Sequence, residues 1–246
     1  MLIVNADDWG ATRETTDQIL TCYRQGRVHS ASAMVFMEDS ERAAELALSS
    51  HLDAGLHLNV TEEFTARNAG VNLNTHHHRV ASYLNSRRLN QVVYNPFLRT
   101  AFEYVIKAQL DEYLRLYGGQ PTRIDGHRHY HLCMNILASS ALPKKIQLRR
   151  NFTFAPGEKD LLNRFYRYLI DGWLCSRFRH TDYFFSLVPI EKHRIKRLIS
   201  LSKSADVELM THPGKKQEYQ YLLSREWREA LQDDAVKSHM GSNRVQ

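Results

Sequence analysis

The sequence predicts a single-domain α/β protein, a TIM-like (β/α) barrel of seven strands with its active site at the C-terminal strand ends. Three observations predict it. Short β-branched or apolar runs alternate with longer helix-like stretches along the 246 residues, the pattern of repeated βα units. The polar motifs richest in chemistry directly follow strand candidates, which is where a parallel barrel gathers its catalytic groups. An apolar fraction of 43% beside 24% charged residues suits a chain of this length that buries one large core. Consecutive βα units favour a closed or nearly closed parallel barrel, with an open doubly wound sheet as the alternative.

In chain order, the first strand is Leu2–Ala6, and a helix candidate spans Glu14 to Gln25. Ser30–Phe36 and the segment Ser40 to Ser49 form the second unit, and Ala54–Val60 is the third strand. From Thr61 to Pro96 the periodicity fades and polar residues dominate, so this stretch reads as a long loop or insertion, of the kind that often forms a lid. The helix from Phe97 to Leu116 is the clearest: Phe102, Val105, Ile106, Leu110, Tyr113 and Leu114 fall at the i, i+3, i+4 spacing of a half-buried face. Thr122–Asp125 and Ile146–Arg150 are the next strands, then a helix from Leu161 to Leu174. Asp182–Ser186, a helix from Ile190 to Ser200, Val207–Thr211 and a helix from Glu218 to Gln232 complete the series. The polar tail after residue 232 is expected to be flexible, and the whole of 1–246 reads as one domain.

A formal charge of +6 and a pI near 9.2 would suit a polyanionic partner. The basic residues are nevertheless scattered as solvated helix faces would be, so no nucleic-acid partner is expected. Cys22, Cys133 and Cys175 are widely spaced and odd in number, which argues against a disulfide framework and fits a reducing cytoplasm. The opening MLIVNADDWG lacks a basic segment followed by an apolar core, and no run is long enough to span a bilayer; secretion by a standard signal is not expected. No GxxxxGK[ST], GxGxxG, GxSxG or CxxC pattern occurs, which removes support for nucleotide, nicotinamide and serine-esterase chemistry.

Four motifs carry the chemistry. Asp7-Asp8-Trp9-Gly10 follows the first strand; adjacent carboxylates repel, and a divalent cation offsets that cost by binding one while the other is left to act as a base. The competing reading is a helix cap. In Gly55-Leu56-His57-Leu58-Asn59-Val60-Thr61-Glu62, His57 shares a polar strand face with Gly55 and Asn59, although a lone strand histidine is more often a hydrogen-bonded core residue. Asp125-Gly126-His127-Arg128-His129-Tyr130-His131 sets three histidines at alternating positions, on one side if the backbone is extended, with Asp125 placed to orient an imidazole. Glu208-Leu209-Met210-Thr211-His212-Pro213-Gly214 ends a strand in a histidine held by a Pro-Gly turn, suited to giving a proton to a departing amine. His76, His77 and His78 lie in the irregular segment without an acidic neighbour and are left outside the site.

NADDWG, GLHLNVTE, DGHRHYH and ELMTHPG, in this order from Leu2 to about Gly214, resemble the YdjC family of carbohydrate deacetylases. The resemblance implies a (β/α) barrel that removes an acetyl group from an N-acetylated sugar, whether a chitooligosaccharide or a glycolipid-linked N-acetylglucosamine. It implies a divalent ion held by Asp8, His57 and His127, commonly magnesium, although the Asp-His-His set would suit zinc. By the same carry-over Asp7 is the base that activates water and His212 the acid. Trp9, Asn59, Glu62, His129 and His131 are the candidates for holding substrate, Trp9 by stacking on a sugar face. Gly126 stands where a Ser is common, and Glu63 where a Gly is common. The alternatives are a metal-dependent phosphoesterase or amidohydrolase on the same scaffold and, from another class, a basic metal- or nucleic-acid-binding protein without catalysis. A homodimer is a further possibility.

Overall fold

A computed structural model describes residues 1–144, 146–153 and 161–231. The elements are β1 (Leu2–Trp9), α1 (Arg13–Arg24), β2 (Ser30–Ala33), α2 (Ser40–Ser50), β3 (Asp53–Leu58), α3 (Val71–Ser86), α4 (Arg99–Tyr117), β4 (Arg123–Gly126), the single turn α5 (Met134–Leu137), β5 (Gln147–Leu148), α6 (Leu161–Arg177), β6 (Tyr183–Ser186), α7 (Lys192–Leu201), β7 (Val207–Thr211) and α8 (Lys216–Leu223). All seven expected strands form, with β1 running on to Trp9 and β5 reduced to two residues.

Every strand pair is parallel, in the order β5-β4-β3-β2-β1-β7-β6. That order is the chain order wrapped on itself, without the reversal that marks a doubly wound sheet, so the open-sheet alternative is set aside. The two edges approach one another. Gln147 and Arg179 form a parallel bridge, Leu148 donates its N–H to Arg179 O at 2.8 Å, and Thr153 donates to Phe184 O at 2.8 Å. The sheet is thus a nearly closed barrel with its seam between β5 and β6.

Alternation along the strands separates two environments. Val4, Ala6, Leu56, Leu58, Ile124 and Leu209 belong to the apolar core with Ile19, Ala43, Phe102, Val105, Ile106 and Leu198 from the surrounding helices. The opposite face, inside the curl, is polar: Asn5 bonds Ser30 and Ser32, and Arg123 reaches Asn5 Oδ1 at 3.2 Å and the carbonyl of Ala31 at 2.6 Å. Gly55 is required here, because a Cβ at that position would lie 2.9 Å from the carbonyl oxygen of Arg123 and collide with its side chain.

Two expectations need correction. The segment 61–96 is not a plain loop, since α3 occupies residues 71–86 and packs against α4. Its buried stripe, Leu73, His77, Val80, Ala81 and Leu84, has helical spacing, but a histidine at its second position and polar flanks weaken the apolar signal. His77 is held against the Phe64 ring at 4.3 Å and His76 against Tyr104 at 4.6 Å. The helix expected from Glu218 to Gln232 is broken at Ser224, whose backbone is extended and whose hydroxyl accepts from Trp227 N at 3.2 Å, capping a second helical stretch over 225–231. Gln232 and the tail beyond it lie outside the described residues. No described helix is long and apolar enough to cross a membrane.

Candidate active site

At the C-terminal end of the strands lies a cavity of about 880 Å³ lined by Asp7, Asp8, His57, Glu62, His127, His129 and His212, among others. In a regular strand Asp7 and Asp8 would point to opposite faces. Here the β1–β2 register shifts between Ala6 and Trp9, and Asp8 takes a left-handed φ of 71°, so both carboxylates serve the same end of the barrel. A non-glycine residue in that region is strained, and the surrounding strands hold it there. Arg128 and His129, with φ of 53° and 61°, place a second strained turn directly after β4.

Asp8, His57 and His127 come together from β1, β3 and the turn after β4, each offering a donor atom within 4.8 Å of the others. Asp8 Oδ1 is 3.4 Å from His57 Nε2 and 3.1 Å from His127 Nδ1. The far nitrogen of His57, Nδ1, meets Asp125 Oδ1 at 2.6 Å, the carboxylate support typical of a ligating imidazole. Burial opposes charge on His57, but the charges of Asp125 and Asp7 and the hydrogen bonds that His57 donates to Asp125 and Asp8 outweigh it and lift its pKa to about 10. Burial likewise works against an ionised Asp8, yet hydrogen bonds from His127 and His57 hold it well below the usual carboxylate range. A pocket that pulls this hard for positive charge, with one carboxylate and two imidazoles converging, fits a divalent ion.

Beneath this trio lies a buried ionic network absent from the sequence reading. Arg149, just after β5, donates Nη1 and Nη2 to the two oxygens of Asp7 at 2.8 Å each, and its Nη2 is 2.8 Å from Asp125 Oδ2. Its Nε donates to Glu208 Oε1 of β7 at 2.7 Å. Ser32 adds a hydroxyl to Asp125 Oδ2 at 2.6 Å, and Asn5 an amide to Asp7 Oδ1 at 2.9 Å. Burial would raise the Asp7 carboxyl, but the Arg149 charge prevails and keeps it ionised below its ordinary value. The signal for Arg149 is faint, one of two adjacent arginines at the end of a strand candidate, whereas Glu208 stands in view within ELMTHPG.

His212 follows β7, the strand paired with β1. Its backbone N–H donates to Glu218 Oε2 at 2.8 Å, and its Nδ1 lies 3.5 Å from Glu218 Oε1, which leaves Nε2 as the nitrogen available to a substrate. Glu218, itself buried at 1% exposure, is a further group the sequence did not point to.

Three proposed substrate contacts are corrected. Trp9 has no exposed surface and belongs to the apolar core, so it cannot stack on a sugar. Asn59 is also fully buried: its Oδ1 accepts from Thr61 N at 3.2 Å and Glu62 N at 2.8 Å, shaping the loop that presents Glu62. His131 is buried with Nε2 donating to the carbonyl of Arg149 at 3.0 Å, because the left-handed turn breaks the extended geometry that would have aligned it with His127. His129 and Glu62 do line the cavity, Glu62 with Oε2 3.8 Å from His127 Nε2. Gly126 is also explained: a Cβ there would lie 2.8 Å from His131 N.

Burial pushes the imidazoles of His129, His131 and His77 down to about 3, about 4 and about 4. These groups stay neutral in the fold while the unfolded chain protonates them below about 6.5. Stability therefore falls as pH drops from 6.5 to 5, by on the order of 1 kcal/mol per histidine, offset only slightly by His57, which the fold keeps protonated and which adds about 0.4 kcal/mol as the unfolded chain finishes taking up its proton. Urea midpoints of metal-stripped protein at pH 6.5 and 5.0 check this; an unchanged midpoint would contradict the burial of these rings.

A family model described as YdjC-like protein matches residues 1–233. Similar curated proteins include a chitooligosaccharide deacetylase of Proteus mirabilis, 31% identical over 168 residues, covering 66% of this chain and 63% of that protein. A carbohydrate deacetylase of Clostridium beijerinckii is 27% identical over 216 residues, covering 87% of this chain and 81% of that protein. A carbohydrate deacetylase of Danio rerio is 26% identical over 136 residues, 55% of this chain, which spans only 43% of that protein's length. Among solved structures, a protein of Enterococcus faecalis described as a candidate cellobiose-phosphate cleavage protein superposes with a TM-score of 0.64 at 20% identity, covering 95% of this chain and 94% of that one, a likeness of fold alone.

Proposed function

Because the chain belongs to the YdjC-like family, we infer that it is a metal-dependent carbohydrate N-deacetylase, hydrolysing the acetamide of an N-acetylated saccharide or glycolipid to acetate and a free amine. The observation that carries this reading is the convergence of Asp8, His57 and His127 on one cavity also lined by Asp7 and His212. The relatives named as carbohydrate and chitooligosaccharide deacetylases support the substrate class. A divalent ion in this trio would supply Lewis acidity for a neutral-pH amide hydrolysis. Asp7, kept ionised by Arg149, takes the proton of the attacking water. His212, steadied by Glu218, gives a proton to the nitrogen as the C–N bond breaks. Glu62 and His129, at the cavity wall, are placed to contact the sugar. We assign the ion as magnesium on the family resemblance, with zinc as the alternative that an Asp-His-His set would also suit, and the setting as cytoplasmic.

The test is acetate release from N-acetylglucosamine oligomers and acetylated glycolipids, with metal content measured on the same sample and phosphate release from generic esters as the control. Metal-loaded protein that frees no acetate from any of them would overturn the reading. Metal binding is also expected to depend on pH. Without metal, His57 keeps its proton up to about 10, and an ion must displace it. The apparent dissociation constant should therefore fall about tenfold for each pH unit between 7 and 9. Calorimetric titrations at pH 7, 8 and 9 would reveal this; affinity independent of pH would mean that the metal-free His57 does not carry the extra proton.

A further inference from the structure

Asp7 and Asp8 are chemically identical neighbours, yet the proposed reaction gives them different work: one holds the cation, the other takes a proton. Both stand near His57, and Asp7, His57 and Asp125 form a second group whose donor atoms lie within 4.8 Å of one another. Two sets of potential ligands therefore compete, sharing His57. Only the inner one already contains a cation, since the Arg149 guanidinium contacts both oxygens of Asp7 and Oδ2 of Asp125.

We propose that Arg149, braced by Glu208, is the positioning residue that divides the roles of the two aspartates, holding Asp7 and Asp125 out of metal coordination so that the ion goes to Asp8, His57 and His127 while Asp7 serves as the base. The inference rests on the deacetylase reading for the word base, and on geometry alone for the rest. A planar fork can engage both oxygens of one carboxylate and reach a second; an ammonium cannot. Glu208 Oε1 accepts from Nε, the Phe184 ring lies 5.0 Å from the guanidinium carbon, and His131 binds the Arg149 carbonyl, so the fork is fixed at its stem, face and backbone. Side chains of Asp7, Asp125, Glu208 and Arg149 are all nearly solvent-free, at 2%, 3%, 7% and 1% exposure. Buried ion clusters are poor sources of stability compared with apolar packing of the same volume. Their placement directly under the strand-end cavity, linking β1, β4 and β7 through one side chain, makes geometry the better reason for them.

The experiment uses Co²⁺ as the probe, with affinity and stoichiometry read by titration, alongside kcat and KM for acetate release. In the wild-type background Asp8→Ala should abolish Co²⁺ binding. In the Arg149→Met background, where Asp7 and Asp125 are freed of their counter-charge, Asp8→Ala should leave Co²⁺ binding in place. Arg149→Lys, which keeps a charge but loses the fork, should lower kcat by about 100-fold with KM little changed, and Glu208→Gln by about 10-fold, the range typical of removing a supporting partner. Loss of Co²⁺ by Asp8→Ala in both backgrounds, or full activity of Arg149→Lys, would overturn the proposal. Should Arg149→Met fail to fold, the Arg149→Lys and Glu208→Gln arms decide. If wild type frees no acetate from any sugar while the Co²⁺ pattern holds, the deacetylase reading fails and the division of ligands stands.

Discussion

His57→Ala is expected to weaken divalent-metal binding by well over the roughly 100-fold seen when only a supporting partner is lost. The reason is that His57 is the shared member of both possible ligand groups, so no rearrangement of neighbours replaces it. The same change leaves the buried Asp125 without its imidazole partner, while Asp8 keeps only His127, and removal of one member of a buried pair costs about 3 kcal/mol or more. Metal-stripped His57→Ala should accordingly melt below wild type, and added metal should restore little of the difference. Isothermal titration with Zn²⁺ and Mg²⁺, together with melting curves, measures both effects. Near-normal metal affinity in this variant would remove His57, and with it the ligand trio, from the mechanism.

Asp7→Asn should do the opposite: retain metal and lose turnover by about 10²–10⁴-fold, the usual contribution of a positioned base. An amide keeps the size of the carboxylate but cannot accept the water proton, and it turns an N–H donor toward the Arg149 fork. Metal content and kcat measured on one preparation separate the outcomes. Full activity would end the role of Asp7 as base. Loss of metal would show that the ion sits in the inner group with Asp7 and Asp125 rather than with Asp8 and His127.

The strand positions and the four motifs were legible because each depends on local pattern. β-branched runs propagate as strands, and DDWG, GLHLN, DGHRHYH and THPG each sit at or just beyond a strand end, where barrel topology brings them together. Helix α3 was missed because His77 occupies a core position that pattern reading treats as polar. Trp9, Asn59 and His131 sit in the motifs without touching the cavity, because motif membership does not say which way a side chain points. For Trp9 and His131 the left-handed residues Asp8, Arg128 and His129 decide that, and for Asn59 the hydrogen bonds to its own loop do; Asp and His tolerate a positive φ but do not require one.

What the amino-acid order determined alone was the alternation of strands and helices, the cyclic parallel arrangement that follows from it, and the four chain segments that meet above the barrel. What only the tertiary structure decided was the charge balance beneath them. Arg149 and Glu208 lie far along the chain from Asp7, and their pairing is set by the curl of the sheet that brings the end of β5 across to β1 and β7. Hydrophobic periodicity is a property of neighbours along the chain, whereas the pairing of buried charges is a property of neighbours in space.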